Sequence, residues 1–283
     1  MKRILALAAA ALMVAVLLAG CSSKKAEYVV LDEGLSNEVY AIGFRKEDQT
    51  LRDAVQKALV ELNKEGKAAE ISKKWFGEDI TIIPAEFTPV ESDDDSLEKV
   101  KNKGELILGL DDSFPPMGYD KDGEIVGFDI DLAKAVCEKL GVSLKLQPIK
   151  WAQNVSELNG GNIDCVWNGM SVNEERDAAM NLSEPYMKNR QVVVTLKANN
   201  INSLNDLKDK SVILQAGSTA VEALDGRPDI KESLKDGKGS EVENNVLAMY
   251  ELSKGTGDAV IMDEVVARYY IAHMTDLEKD TAA

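Results

Sequence analysis

Four short stretches carry the side chains best suited to chemistry: residues 111–114, 168–176, 215–219 and Asp263. They offer a guanidinium, carboxylates, hydroxyls and amides, and each follows an apolar run that is typical of a β-strand. In α/β folds, ligands lie outside the carboxyl ends of strands, so a ligand site is expected at these stretches. The single histidine, His273, and the lack of a Cys/His cluster argue against a transition-metal site.

The segments between these stretches alternate between strand and helix patterns. Short apolar runs predict strands, and apolar residues repeated at helical spacing predict helices. The predicted strands are 106–110, 143–147, 163–167, 191–196, Val212–Gln215 and 259–262, and the predicted helices are 131–140, 174–180, 264–271 and one that opens at Ser218. Such alternation indicates α/β lobes with largely parallel sheets. The run 191–196 is the candidate for a strand that crosses between two lobes.

Helical patterns and a linker also precede these units. Thr50 is the predicted N-cap of a long amphipathic helix that Gly66 ends. A second, shorter helix is predicted over 71–75. The segment 81–95 holds two prolines and an acidic run but no helical period, which predicts a linker.

The first twenty residues have the composition of an export signal. Two basic residues precede an apolar run, 4–18, which is too short for a membrane span and is followed by polar sequence. The ending Leu-Ala-Gly-Cys resembles a bacterial lipobox, which implies cleavage of 1–20 and acylation of Cys21. Residues 21–27 then form a tether, and the protein is expected to be extracytoplasmic and lipid-anchored to the cell membrane. The alternative is an ordinary signal peptide with a chance cysteine.

Charge and cysteine content narrow the possible partners. The net charge of -16 at pH 7 repels nucleic acid and anionic lipid, so neither is an expected partner. Roughly 260 residues remain after the signal, enough for one large domain or two lobes. Cys137 and Cys165 are expected to be buried free thiols rather than a disulfide.

The block GFDIDLAKAVCEKLG, residues 127–141, resembles the signature of the extracellular solute-binding proteins that serve polar amino-acid ABC transporters. The blocks NIDCVWNGMSVNEER, LSEPYMKNRQVVV, SVILQAGSTA, GDAVIMDEVVARYY and YAIGFRKEDQTLRDAVQKALVELNKEGKAAEISKKWFGEDI resemble other parts of the same family. The resemblance covers nearly all of the chain after the signal. It implies an α/β, two-lobed fold like the type II periplasmic binding proteins, with a two-strand hinge and no cofactor.

The order of these blocks differs from that of the family. The block that resembles the family's last one, 40–80, comes before the block that resembles its first, 96–119. A circular permutation is the simplest explanation, with 81–95 joining the ancestral termini. The implied parts are lobe 1 from 45–80 and 96–188, lobe 2 from 28–39 and 195–283, and hinge strands at 40–44 and 189–194. The rival explanation is two tandem partial domains.

The resemblance also implies which residues bind the ligand. A zwitterionic amino acid in a buried cleft needs a cation for its carboxylate and an anion for its ammonium. Arg176 matches the family's carboxylate-binding arginine, which binds with two parallel hydrogen bonds, and Asp263 matches the aspartate that binds the ammonium. The alternatives are a solvated helix arginine and a helix N-cap.

The remaining matched positions surround the ligand. Gly169 and Ser171 are expected to contact its backbone groups, and the amides of Ser218 and Thr219 are expected to face its carboxylate at a helix start. Met170 and Gln215 are also expected among the ligand-binding residues. Phe114 and Trp151 match aromatic positions that sandwich the ligand, although a single aromatic residue is more often core. Asp111 matches an acidic position at the side-chain end, which favours glutamine or a basic amino acid without choosing between them.

The resemblance implies a substrate-binding lipoprotein that closes on a polar L-amino acid and delivers it to an ABC permease driven by an ATPase. Two other classes remain open. One is an enzyme on the same fold, such as a dehydratase acting on a cyclic acid, for which Asp111 and Asp112 are the possible acids. The other is an amino-acid sensor, which requires a signalling partner.

Overall fold

The computed structural model describes residues 26–280, and the side chains of residues 26–273. The predicted signal, Cys21 and most of the tether lie outside the described residues. Within this part of the chain, no helix combines the length and hydrophobicity that a bilayer crossing requires.

Two larger sheets and one small sheet organise the described chain. The strands are β1 (Tyr28–Val30), β2 (Ser36–Tyr40), β3 (Gly43–Phe44), β4 (Glu105–Leu110), β5 (Ser113–Phe114), β6 (Gly118–Lys121), β7 (Glu124–Val126), β8 (Ser143–Pro148), β9 (Cys165–Val166), β10 (Asn181–Leu182), β11 (Met187–Leu196), β12 (Val212–Gln215), β13 (Ser240–Val242) and β14 (Ala259–Asp263). The helices are α1 (Gln49–Lys64), α2 (Lys67–Phe76), α3 (Ser96–Lys103), α4 (Phe128–Leu140), α5 (Asn154–Asn159), α6 (Glu174–Ala179), α7 (Thr219–Asp225), α8 (Pro228–Lys231), α9 (Asn245–Lys254) and α10 (Glu264–Asp280).

Each larger sheet is the centre of one lobe. Lobe 1 is built on the five-stranded sheet, in the order β10-β3-β9-β4-β8. Lobe 2 is built on the six-stranded sheet, in the order β1-β11-β14-β12-β13, with β2 also paired to β11. The small sheet, β5-β6-β7, follows β4 in the chain. The segment before α1 therefore supplies strands to both lobes.

Both larger sheets are mixed, whereas the alternating pattern predicts largely parallel ones. In lobe 1, β4 is parallel to β8 and β9, and in lobe 2, β12 is parallel to β13 and β14. The strands β3 and β11 pair antiparallel with their neighbours. Two neighbouring parallel strands are joined by a crossover connection, usually a helix, on their own sheet. The chain instead enters β3 and β11 directly from the other lobe, so these strands lack such a crossover.

The described chain passes between the two sheets at two places. β2 continues into β3 through Ala41 and Ile42, and β10 continues into β11 through 183–186. The two passages are joined, because the Ile42 amide donates to the Ser183 hydroxyl at 2.9 Å. Residues 189–194, the expected second hinge strand, lie inside β11 and pair with β2 and β14. The passage itself begins earlier in the chain, at Ser183.

The long amphipathic helix is present, but Thr50 is not its N-cap. Helix α1 begins at Gln49, and it buries Leu51 and Leu59 completely. The Thr50 amide and hydroxyl instead donate to the Asp94 carboxylate at 2.9 and 2.8 Å. Asp94 lies in the linker and also accepts from the Ser96 amide at 3.0 Å, so one side chain joins the starts of α1 and α3. The sequence pattern cannot show this contact, because the partners are 44 residues apart.

Replacing Asp94 with alanine is expected to lower the free energy of unfolding by about 1–2 kcal/mol at pH 7. Burial alone would raise the pKa of Asp94, but the hydrogen bonds from Ser96, Ser92 and Thr50 outweigh burial and lower that pKa well below its usual value. Because this pKa is lower in the folded state than in the unfolded state, the ionised carboxylate stabilises the fold above the unfolded pKa of about 4. That stabilisation is lost as the pH falls further. Urea unfolding across this pH range tests the prediction, with the exposed Asp93→Ala as control. Equal stability of both variants at pH 7 would contradict it.

Cys137 and Cys165 are both buried and free, which confirms the sequence prediction. Burial raises the pKa of Cys137 to about 12 and that of Cys165 well above its usual value. Neither thiol therefore carries a thiolate at neutral pH.

Candidate ligand site between the lobes

Residues from both lobes line a small cavity where the lobes meet. Lobe 1 contributes most of the wall, and lobe 2 contributes the ends of β12 and β14 and the start of α7. The lining residues are Phe114, Trp151, Asn168, Gly169, Ser171, Arg176, Gln215, Ser218, Thr219 and Asp263. Nine of these belong to the eleven residues proposed from the sequence to contact a ligand, and Asn168 is additional.

Arg176 is a buried cation held by backbone carbonyls. It lies in α6, where the Asn173 side chain accepts from its amide at 2.8 Å and caps the helix. Its guanidinium donates to Ser171 O at 2.6 Å and to Gly217 O at 3.0 Å, one carbonyl from each lobe. It also lies over the Trp151 ring, 5.5 Å from the centroid. Arg176 is only 6% exposed, which rules out the solvated helix arginine.

No carboxylate pairs with this guanidinium. Among the side chains that the structure describes, none places an acidic oxygen within 4.0 Å of Arg176. Burial lowers the pKa of Arg176, while the more distant charges of Asp263 and Glu38 oppose that shift. An unpaired buried cation is costly, so the arrangement favours an anionic group in the cavity.

Asp263 is the corresponding unpaired anion. It is the last residue of β14, and its Oδ1 accepts from Tyr40 OH at 2.7 Å and from Asn189 Nδ2 at 2.5 Å. Burial raises its pKa to about 7, and the charge of Glu38 adds to the shift. No described lysine, arginine or histidine nitrogen lies within 4.0 Å of it. A cationic ligand group would stabilise the ionised form.

The cavity walls require glycine at position 169. Gly169 has a φ of +56°, and a Cβ there would lie 2.8 Å from the Phe114 ring and 3.2 Å from Tyr40. Its amide donates to Asp129 Oδ2 at 2.7 Å, so the amide of Gly169 already has a partner within the protein. Phe114 and Trp151 line the cavity and are buried in its walls.

The hydroxyls that line the cavity already have partners. Ser171 Oγ donates to Glu38 Oε2 at 2.6 Å, and Thr219 Oγ1 donates to the same oxygen at 3.1 Å. Ser218 differs from the sequence expectation, because both its amide and its hydroxyl donate to Gln215 O, at 3.2 and 2.8 Å. The tight turn through Gly217, with a φ of +72°, closes on the Ser218 amide and removes it as a ligand donor.

Two residues proposed from the sequence do not line the cavity. Asp111 lies behind Gln215, whose Nε2 donates to Asp111 Oδ2 at 2.7 Å, and its other oxygen accepts from Ser113. Burial raises the pKa of Asp111, although these hydrogen bonds oppose the shift. Met170 is fully buried in a hydrophobic cluster that includes Met180.

The structure adds Asn168, Glu38, Tyr40 and Asn189 to the site. Asn168 lines the cavity and accepts from the Asp111 amide at 3.1 Å, and it belongs to a stretch that the sequence had marked. The other three surround Asp263 and the hydroxyls. For Glu38 and Tyr40, the signal in the sequence is strand alternation, which places both side chains on one face of β2 together with Ser36. Alternation alone does not say what that face contacts.

Several hydrogen bonds join the two lobes, so the structure is a closed form. Besides the Arg176–Gly217 and Gln215–Asp111 bonds, Tyr119 OH lies 2.7 Å from Tyr269 OH. Tyr270 OH also donates to Ser113 O at 2.9 Å. The cavity is assembled from both lobes only in such a closed arrangement.

The described residues offer little for metal or acid–base chemistry. Between residues 26 and 273, no three His, Cys, Asp or Glu side chains are grouped to hold a metal ion. His273 is exposed on α10 and stacks on Tyr269, with ring centroids 4.1 Å apart, and it does not line the cavity.

Comparison with known proteins agrees with this geometry. The profile described as "Bacterial extracellular solute-binding proteins, family 3" matches residues 4–78 and 106–273. The arginine-binding extracellular protein ArtP of Bacillus subtilis is 31% identical over 211 residues, covering 73% of this chain and 79% of ArtP. A glutamine-binding protein of Geobacillus stearothermophilus is 30% identical over 188 residues, covering 64% of this chain and 70% of that protein.

A solved structure shares the architecture. An ABC uptake transporter substrate-binding protein from Streptococcus pneumoniae, crystallised with histidine, matches with a TM-score of 0.63 and 35% identity. The match covers 65% of this chain and 76% of that one. The expected two-lobed, type II periplasmic-binding fold is thereby confirmed. With its family profile, sequence relatives and fold in agreement, the chain belongs to family 3 of the bacterial extracellular solute-binding proteins, and its location is extracytoplasmic.

Proposed function

We propose that the interlobe cavity binds an L-amino acid. The observation that carries the proposal is the pair of unpaired buried charges, Arg176 and Asp263, that face one small cavity. A zwitterion supplies a carboxylate to the guanidinium and an ammonium to the carboxylate. Its binding would replace two costly isolated charges with two ion pairs, which no singly charged ligand achieves.

A polar or basic side chain fits the rest of the cavity best. Gln215 and Asn168 line it with amide groups, and the Asp111 carboxylate lies directly behind Gln215. A carboxylate in that position favours a neutral polar or cationic side chain over an acidic one. The named ligands of the three relatives described above are arginine, glutamine and histidine, which belong to the same class. We infer that glutamine or a basic amino acid is the natural ligand.

Binding is proposed to stabilise the closed form. Arg176 belongs to lobe 1 and Asp263 to lobe 2, so a ligand that pairs with both has differential affinity for the state in which the lobes meet. The closed protein would deliver its ligand to an ABC permease driven by an ATPase. Acylation of Cys21 would hold it at the membrane, where two or more acyl chains anchor a protein stably.

Binding is favoured over catalysis or sensing. The titratable carboxyl that lines the cavity, Asp263, pairs with the ligand's ammonium in the proposed complex, and the sequence candidate Asp111 does not line it. A dehydratase would need an acid or base free to reach the ligand. We therefore propose that the protein is not an enzyme, and a sensing role lacks a supporting feature.

A binding screen tests this function. L-Arginine, L-lysine, L-ornithine, L-histidine and L-glutamine would be titrated calorimetrically and in thermal-shift assays, with the other proteinogenic amino acids as a panel. A specific ligand should raise the melting temperature in proportion to the logarithm of its excess over Kd. The desamino and amidated forms of the best ligand should each bind far more weakly. Binding of a singly charged analogue as tight as that of the amino acid would overturn the proposal.

We further propose that the chain order is circularly permuted relative to the family. The family profile matches two separate segments, 4–78 and 106–273, on either side of the linker. Residues before the linker supply β1 and β2 to lobe 2 and β3 and α1 to lobe 1. A partial domain would have no reason to complete both sheets of its neighbour, so permutation is favoured over tandem partial domains.

Two altered chains distinguish these explanations. A reordered chain would begin at Ser96, run to His273, and continue through a short flexible link into Glu27 and on to Gly77. Permutation predicts that this chain folds and binds the same amino acid with a similar Kd. It also predicts that residues 96–283 alone do not give a stable, ligand-binding protein. Stable binding by that fragment would overturn the permutation without affecting the proposed ligand.

A further inference from the structure

We propose that Glu38 is a positioning residue of the cavity, which fixes the hydroxyls of Ser171 and Thr219 as hydrogen-bond acceptors and so makes this wall selective for a ligand's ammonium group. The inference rests on the proposed function, because it concerns how an amino acid is recognised. Glu38 lies on β2, outside the four stretches that the sequence marks, and it does not itself line the cavity.

The Glu38 carboxylate gathers hydrogen bonds from both lobes. Its Oε2 accepts from the Ser171 hydroxyl at 2.6 Å, which belongs to lobe 1, and from the Thr219 hydroxyl at 3.1 Å, which belongs to lobe 2. The same oxygen accepts from Gln191 Nε2 at 3.1 Å and Asn189 Nδ2 at 3.2 Å. Its Oε1 accepts from Ser36 Oγ at 3.0 Å. No described cationic nitrogen lies within 4.0 Å of it.

These bonds fix what the two hydroxyls can offer a ligand. A serine or threonine hydroxyl has one proton to donate and two lone pairs to accept with. Because Glu38 takes the proton in each case, only lone pairs remain at the cavity. Thr219 Oγ1 also accepts from Gln191 Nε2 at 3.3 Å, which holds it further in this orientation. A ligand group at this wall must therefore be a donor.

The charges at this wall point to the same ligand group. Asn189 Nδ2 lies 2.5 Å from Asp263 Oδ1 and 3.2 Å from Glu38 Oε2, so one amide joins two carboxylates. Of the charged groups that line the cavity, Arg176 is the cation and its guanidinium is bound to carbonyls. The Asp263 end of the cavity thus carries negative charge and hydrogen-bond acceptors together. An ammonium satisfies both, whereas a hydroxyl or a methylene satisfies neither fully.

The Ser171 contact lies beside the hinge. The Val172 amide donates to Val39 O and the Ala41 amide donates to Met170 O, both at 2.9 Å, so the backbone holds Ser171 next to β2. Glu38 thereby supports selection of the ligand's α-amino group, in addition to the direct contact of Asp263.

Replacing Glu38 with glutamine tests the inference. The amide keeps the size of the side chain, but its Nε2 donates, which would turn at least one hydroxyl to donate into the cavity. L-Arginine and L-glutamine are the probes, each titrated with its amide and its desamino analogue by calorimetry and, for weak ligands, by NMR. Glu38→Gln is expected to raise the Kd of the amino acid and of its amide by about tenfold or more. The Kd of each desamino analogue should change by less than about twofold, because the analogue lacks the ammonium group that this wall recognises.

Two further variants complete the experiment. Glu33→Gln removes the same charge from an exposed position on the same segment and should leave every Kd unchanged. Glu38→Asp keeps the charge and should restore part of the lost affinity. Equal weakening of amino acid and desamino analogue would indicate a structural role and overturn the inference alone. If the natural protein bound neither probe nor any other amino acid, the proposed function would fail and this inference with it.

Discussion

Replacing Arg176 with alanine is expected to raise the Kd of the bound amino acid by about 100-fold, equivalent to about 2.7 kcal/mol. Within lobe 1, the natural guanidinium already bonds to Ser171 O and lies over Trp151, so its position is fixed before the lobes close on a ligand. The variant would leave the ligand carboxylate buried without a counter-charge, and that desolvation cost makes the effect large. Calorimetric titration measures it directly.

Two controls separate charge from geometry in this experiment. Arg176→Lys keeps the positive charge but loses the planar donors that bond to carbonyls and carboxylate together, so an intermediate loss of about tenfold is expected. Arg227→Ala removes an arginine that pairs with Asp229 on the surface, away from the cavity, and should leave binding unchanged. A folded Arg176→Ala protein that keeps the natural Kd would show that the guanidinium does not bind the ligand.

Replacing Asp263 with asparagine is expected to weaken amino-acid binding by a similar factor at pH 8 and to abolish its pH dependence. Burial raises the pKa of Asp263 to about 7 in the ligand-free protein, and an adjacent ammonium would lower it. Binding by the natural protein therefore releases a proton below about pH 7. Affinity should be constant above that pH and fall by up to tenfold per unit below it. Titrations from pH 5 to pH 9 measure this profile.

The same substitution has an opposite effect on the ligand-free protein. The pKa of Asp263 is higher in the folded state than its unfolded value of about 3.9, so ionising this carboxyl lowers the free energy of unfolding. The loss of stability grows as the pH rises from about 4 towards 7. Asp263→Asn removes this charge, so the ligand-free variant should melt at a higher temperature than the natural protein at pH 8. The exposed Asp236→Asn is the matched control. Loss of melting temperature together with unchanged ligand binding would contradict the assignment.

A second buried carboxyl makes the pH test specific. Burial also raises the pKa of Asp129 to about 7, although its hydrogen bonds from the Gly169 amide and Tyr186 OH oppose the shift. Asp129 does not line the cavity, so its titration should affect stability more than affinity. A pH dependence of affinity that survives in Asp263→Asn would point to Asp129 and to an indirect effect through the Gly169 loop.

The local sequence determined where the candidate site could lie. Apolar runs followed by polar stretches marked 168–176, 215–219 and Asp263 as strand ends, and the structure brings these stretches to one cavity. This works because hydrophobic periodicity records burial element by element, and parallel strands end at the same edge of a sheet. The choice of Arg176 and Asp263 within those stretches came from the family resemblance rather than from periodicity.

Only the tertiary structure decided which groups are free to meet a ligand. The Ser218 amide is used by the turn through Gly217, the Gly169 amide by Asp129, and Asp111 lies behind Gln215. The structure also joined Glu38 to Ser171, which is 133 residues away in the chain. Hydrogen-bond partners are set by which segments pack together, and that depends on strand pairing across the whole chain. A pattern read along neighbouring residues carries no record of such pairing.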